Sequence, residues 1–224
     1  MPQPEKPAFK AVVFDLDGTL LNTLDDLTDA ANTVLAMRGF PARTKDEMRF
    51  FVGDGIAMLC RRILPEAAVS DEAVAACVAD FRTVYGKIWN AKTRPYDGIC
   101  EMLGELSRMG LMLAILSNKP DANTKETVAY FFPDTGWKMV LGEREGTPKK
   151  PHPAGAVEIA QALGISPSQT LYLGDTSIDM KTARAAGMHP VGALWGFRPE
   201  SELVASGAAD LARTPSDVIA IAKK

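Results

Sequence analysis

The sequence has no apolar stretch approaching the roughly 20 residues that a membrane-spanning helix needs, so no membrane association is expected. It is poor in cysteine: Cys60, Cys77 and Cys100 are odd in number and without metal-like spacing. Each sits among apolar neighbours, which reads as reduced core thiols in a reducing cytoplasm. A basic stripe is also missing. The net charge is −3 and the lysines and arginines are scattered, which excludes the electrostatic footprint of a nucleic-acid binder and leaves small molecules as the expected partners. There is no internal repeat. The N-terminal Met1-Pro2-Gln3-Pro4-Glu5-Lys6-Pro7 is proline-rich and polar rather than charged and then apolar, so it reads as a loose tail that directs no export.

What is present is an alternation of elements. Five short apolar runs, Ala11–Phe14, Leu111–Leu116, Lys138–Leu141, Thr170–Leu173 and Pro190–Leu194, each end in polar residues or glycine. Between the later runs lie the helical patterns Gly98–Met109, Ala122–Phe132, Pro153–Leu163 and Ile178–Ala186. The β-α-β order predicts an α/β fold, a Rossmann-like parallel sheet covered by helices on both faces. About a hundred residues separate the first two runs, far more than a crossover needs. Leu24, Leu27, Ala31, Val34 and Leu35 recur there at helical spacing, as do Ile56, Leu59, Cys60, Ile63 and Leu64. Ser70 is an N-cap for a further helix with the stripe Val74, Cys77, Phe81, Val84 and Ile88. Residues 21–92 are therefore read as an inserted helical domain, and residues 1–20 with 93–224 as the core. Two chain connections between them suit a hinge.

In a parallel sheet, ligands bind beyond the carboxyl ends of the strands. Those positions hold Asp15 and Asp17, Ser117 and Asn118, Lys149 and Lys150, and Asp175 with Asp179 following. If the chain stays extended through Asp15 and Asp17, the two-residue period puts both carboxylates on one side, and Gly18 lets the chain turn away. Two carboxylates sharing a site do not both ionise readily, which suits a nucleophile paired with a general acid. Asp175 adds a third acid and requires a cation. An oxygen-only set without nearby histidine or cysteine fits Mg²⁺ better than zinc. His189 is read as structural. Acids around a metal, with a hydroxyl and a lysine, are what phosphoryl transfer needs, and Asp15 can serve as a covalent nucleophile.

Taken together, these residues resemble the haloacid dehalogenase superfamily: DLDGT at Asp15–Thr19, LSN at Leu116–Asn118, KP at Lys150-Pro151 and GDTSID at Gly174–Asp179. The resemblance implies that Asp15 is the nucleophile and that Asp17 protonates the leaving oxygen and then activates water. It implies Mg²⁺ held by Asp15, the main-chain carbonyl of Asp17, and Asp175, with Asp179 acting indirectly. Gly18, Thr19, Ser117, Asn118 and Lys150 would bind the phosphate. His152 fills the variable place of KPxP and reads as a helix-start residue. The helical insert resembles the mobile cap of the family, and its Phe51–Ile56 turn, with Gly53, Asp54 and Gly55, resembles the substrate-contacting turn of phosphoglycolate phosphatases. The implied function is Mg²⁺-dependent hydrolysis of a small phosphorylated metabolite, 2-phosphoglycolate first; monomer and homodimer both stay open. At Asn22-Thr23 the chain departs from the Asp-Ser or Asp-Thr of many relatives. A sugar-phosphate mutase, a pyrophosphatase or nucleotidase, and a phosphonatase using Lys45 stay open, as does a non-enzymatic phospho-receiver, which the hundred-residue insert disfavours.

Overall fold

Ala11–Phe14 (β1) is an unbroken apolar run because it lies in the middle of a parallel sheet and is buried on both faces. The computed structural model describes residues 9–224, and the Met1–Pro7 tail lies outside the described residues. The chain divides into two compact units, one ending at Leu20 and resuming at Tyr96–Lys224, the other spanning Leu21–Pro95.

In the first unit β1 pairs in parallel with Met112–Pro120 (β4) on one side and Thr170–Gly174 (β6) on the other. The sheet continues outward through Met139–Glu143 (β5) beyond β4, and through His189–Ala193 (β7) and Asp210–Ala212 (β8) beyond β6. Its six strands are all parallel. Ile99–Arg108 (α5), Asp121–Phe131 (α6), Ala154–Leu163 (α7), Ser177–Ala186 (α8), Glu200–Ala205 (α9) and Pro215–Ala222 (α10) are its helices. Val13, Ala114, Leu116, Leu141 and Tyr172 form one buried cluster with Ala156, Ile159 and Ala160 of α7 and with Ala183 and Ala186 of α8. The alternate residues Val12, Phe14, Leu113, Ile115, Leu171 and Leu173 are buried as well, so both faces are covered. Each such large aliphatic side chain contributes roughly 1.5–3 kcal/mol by leaving water.

Three details differ from the sequence reading. β4 runs past its apolar segment to Pro120, because the polar Ser117-Asn118-Lys119 continues the ladder toward β5 across a register shift. β8 is an edge strand of three residues, too short for an alternation signal to show. Cys100 is exposed: on α5 its neighbours Ile99, Met102 and Leu103 take the buried stripe, and position 100 is turned to solvent.

In the second unit Leu21–Asn22 (β2) and Arg94–Pro95 (β3) form a short antiparallel ribbon. Between them lie Leu24–Met37 (α1), Lys45–Phe51 (α2), Ile56–Ile63 (α3) and Asp71–Ile88 (α4). The Ser70 hydroxyl accepts from the Ala73 N–H at 3.1 Å, which starts α4. Ala30, Ala31, Val34 and Leu35 of α1, Leu59, Cys60 and Ile63 of α3, and Val74, Cys77 and Phe81 of α4 are buried on facing stripes. Cys60 and Cys77 are both buried free thiols within this helical unit. Val84 and Ile88, placed on the same stripe by spacing, are only half-buried near the end of α4.

Candidate active site

The register of the three central strands builds the site. Phe14 stands opposite Ile115 of β4 and Leu173 of β6, so Asp15, Ser117 and Asp175 emerge at one edge of the sheet. The Asp15 N–H donates to the Leu173 carbonyl at 2.9 Å and keeps the chain extended one residue beyond β1. Leu16 is buried, and Asp17, two residues on, is partly exposed. Gly18 then turns the chain with φ +93°. A Cβ there would drive into the Asp175 carboxylate and the Phe197 ring, so only glycine fits.

Three carboxylates converge. One ligand oxygen each from Asp15, Asp175 and Asp179 lies within 4.8 Å of the others, and all three residues are buried. Lys150 enters this group from the loop before α7, placing its ammonium 2.8 Å from Asp15 Oδ1 and 2.7 Å from Asp179 Oδ1. Asn118 fixes Lys150 in turn: its side-chain oxygen accepts from the Lys150 N–H at 2.9 Å and its amide donates to the Lys150 carbonyl at 3.0 Å. The other Asp179 oxygen accepts from the Thr176 N–H at 3.1 Å and from its hydroxyl at 2.7 Å, closing the capping box of α8. Both oxygens of Asp179 are thus engaged within the protein. Asp175 Oδ1 accepts from the Thr19 hydroxyl at 2.9 Å, and its Oδ2 accepts from the Phe197 N–H at 2.8 Å.

One ammonium does not balance three buried carboxylates. Burial, and then the neighbouring Asp179, push the Asp15 carboxyl well above the usual range against the pull of Lys150. Burial and Asp179 likewise raise Asp175 to about 7, against the hydrogen bonds from Phe197 and Thr19. Burial alone would lower the Lys150 ammonium, but Asp15 and Asp179 outweigh it and hold it well above the ordinary lysine value. The surplus negative charge, presented entirely by oxygen, fits a hard divalent cation.

Of the other expected residues, Ser117 is buried at the end of the apolar part of β4, and its hydroxyl accepts from the Lys119 N–H at 3.2 Å. The Asp17 carboxylate lies outside the buried trio and pairs with Lys119 instead, at 3.0 Å. Lys119 was absent from the sequence reading. The two-residue period of a strand, carried from Ser117 past the apolar run, would have placed it on the same side. Trp195, whose indole N–H donates to the Thr19 carbonyl at 2.9 Å, was also missed, and no local pattern marks it. His152 accepts the Ala154 N–H at 3.2 Å beside the start of α7, and His189 hydrogen-bonds Asp210 at 2.7 Å, so both have structural partners. Gly53, Asp54 and Gly55 belong to the other unit. There Gly53 and Gly55 take positive φ angles of 119° and 84° in the turn between α2 and α3, and the Asp54 carboxylate pairs with Arg62 of α3.

A family model described as haloacid dehalogenase-like hydrolase matches residues 12–193. A protein of Xylella fastidiosa named phosphoglycolate phosphatase is 31% identical over 205 residues, covering 89% of this chain and 87% of that protein. One of the same name from Xanthomonas campestris pv. campestris is 34% identical over 194 residues, covering 84% and 85%. Among solved structures, a predicted phosphoglycolate phosphatase from Haemophilus somnus superposes with a TM-score of 0.89 at 27% identity, covering 96% of this chain and 98% of that one. The matched span runs from β1 to β7 and contains all three converging acids and Lys150, so the chain belongs to the haloacid dehalogenase-like hydrolase family.

Proposed function

We propose that this chain hydrolyses small phosphomonoesters through an aspartyl-phosphate on Asp15, with 2-phosphoglycolate as the first substrate to consider. The observation that carries the reading is Lys150, whose buried ammonium touches Asp15 at 2.8 Å and Asp179 at 2.7 Å at the edge of the sheet. An Asp15 oxygen attacks phosphorus while the ester P–O bond breaks, and Asp17 delivers a proton to the departing alkoxide. Asp17 then takes a proton from water, the resulting hydroxide attacks the phosphorus, and the bond to Asp15 breaks to release inorganic phosphate. Lys150 neutralises charge on the transferring group, and the Ser117 hydroxyl with the Asn118 main chain orients its oxygens.

Mg²⁺, held by Asp15, Asp175 and the Asp17 carbonyl, would supply further neutralisation of phosphate charge. Asp179, with both oxygens engaged in the protein, acts on the site through Lys150. In the helical unit the proposed substrate contacts are Gly53, Asp54 and Gly55. The name shared by the two relatives above supports 2-phosphoglycolate. The three free thiols accord with a cytoplasmic setting.

Asp15→Asn tests the mechanism directly. It should abolish phosphate release from a generic phosphate ester in Mg²⁺, and retained turnover would remove Asp15 as nucleophile. A panel of phosphorylated metabolites assayed for released phosphate tests the substrate, with 2-phosphoglycolate expected at the highest kcat/KM.

A further inference from the structure

The loop after β7 carries none of the sequence motifs, yet it closes a ring of hydrogen bonds around Asp175. The Trp195 indole N–H donates to the Thr19 carbonyl at 2.9 Å, and the Thr19 hydroxyl donates to Asp175 Oδ1 at 2.9 Å. Two residues after Trp195, the Phe197 N–H donates to Asp175 Oδ2 at 2.8 Å. The ring therefore runs from the loop to the chain turn after β1, on to the acid after β6, and back to the loop. Glycines line it: a Cβ on Gly18 would lie 2.8 Å from the Phe197 ring, and one on Gly196 would lie 2.6 Å from Asp175 Cγ. Each oxygen of Asp175 receives one of these bonds. An ionised carboxylate offers about four lone-pair sites, so the ring fixes the plane of Asp175 and leaves electron pairs for a cation.

We propose that Trp195 is a positioning residue for Asp175. By holding the Thr19 main chain, the indole sets where the Thr19 hydroxyl points, and so sets the affinity of the site for a divalent cation. Partners one step out from a metal ligand change metal affinity by about 10–100-fold when removed. Trp195 is one step further, acting through Thr19. The inference rests on the metal-assisted reading above and asks something separate of it.

The test is calorimetric titration of the whole chain with Mg²⁺ and no substrate. Trp195→Phe keeps an aromatic ring but removes the donor, and should weaken Mg²⁺ binding several-fold. Thr19→Val should weaken it on the order of 10-fold. Thr19→Ser should restore wild-type affinity, and the double variant Trp195→Phe/Thr19→Val should bind no more weakly than Thr19→Val alone, because both act along one path. A merely structural role would lower the melting temperature of the metal-free protein and leave Mg²⁺ affinity unchanged. Wild-type affinity in Trp195→Phe, or additive losses in the double variant, would overturn the inference. Failure of the wild-type protein to bind Mg²⁺ would remove the metal-assisted reading itself and this inference with it. If Trp195→Phe does not fold, the variant Trp89→Phe/Trp137→Phe leaves Trp195 as the remaining tryptophan of the three. Its emission should then change as Mg²⁺ saturates the protein, and an unchanged spectrum would count against the ring.

Discussion

Lys119 holds the Asp17 carboxylate with its ammonium 3.0 Å from one oxygen and 3.4 Å from the other. The side chains are 7% and 16% exposed, so this pair is far better shielded than a surface salt bridge. The acid proposed to move protons is thereby held in one orientation. Removing the ammonium with Lys119→Met should lower kcat by about 10-fold or more, a fraction of the 10²–10⁴ that a positioned acid-base group supplies. Steady-state kinetics on Lys119→Met, Asp17→Asn and the double variant check this. If Lys119 acts through Asp17, the double variant is no slower than Asp17→Asn alone. Full additivity would assign Lys119 a separate task.

The buried acids link metal binding to pH. Asp175 is raised to about 7, mainly by burial and then by Asp179. Between its unfolded value, near 3.8, and about 7, the folded metal-free protein binds the extra proton. The stability of the metal-free protein should therefore fall as pH rises through that window, by an amount on the order of a few kcal/mol. A divalent cation favours the ionised carboxylates and opposes that loss. The rise in melting temperature caused by Mg²⁺ should accordingly grow from pH 5 to pH 8. Thermal melts with and without Mg²⁺ across that range measure it, and a stabilisation that does not change with pH contradicts this charge balance.

Gly196 allows the loop backbone to lie against Asp175. A methyl group there would sit 2.6 Å from both Cγ and Oδ2 of Asp175, so Gly196→Ala must push the acid or the loop aside. Overpacking of this kind costs about 1–3 kcal/mol. The larger effect should fall on function: at least about 10-fold weaker Mg²⁺ binding, as for lost support of a metal ligand. Gly104→Ala is the control, because a Cβ there meets nothing within 4 Å in the middle of α5. Circular dichroism melts and Mg²⁺ titration of both variants separate the two effects.

The parts of this architecture legible in the sequence are those enforced locally. β1 and β6 are buried on both faces, so their residues read as unbroken apolar runs, and the acids that follow mark the functional edge of the sheet. The helix start at Ser70 was legible because a cap is a contact over three residues. Lys119 was not, since a strand that continues through Ser-Asn-Lys looks from its composition like a strand that has ended. The Trp195 contact spans 176 positions, and nothing near Trp195 or Thr19 announces it. Cys100 shows the converse error. Apolar neighbours in sequence say nothing about burial on a helix, where adjacent residues point about 100° apart.

Asp26 ties together the two ends of the helical unit. It sits in the first turn of α1 at 1% exposure, and its carboxylate accepts the Lys92 N–H at 2.9 and 3.0 Å, the Thr93 N–H at 2.8 Å and the Thr93 hydroxyl at 2.8 Å. These donors belong to the segment that leads into β3, about 66 positions away. Asp26→Ala would leave two backbone N–H groups and a hydroxyl without their acceptor, and hydrogen bonds to a charged group contribute about 1.5–3 kcal/mol each. A loss of roughly 3–5 kcal/mol from the helical unit is expected, the range seen when one partner of a buried charged network is removed. Asp26→Asn retains one acceptor but turns an amide donor toward other donors, so it should lose about as much. Because the chain has two units, a single global melt is a poor probe of a loss confined to the helical one. Amide hydrogen exchange is the sharper one: protection at Lys92 and Thr93 should collapse in both variants while β1 and β6 keep theirs. Unchanged exchange at Lys92 and Thr93 would show that the ribbon of β2 and β3, rather than Asp26, fixes this junction.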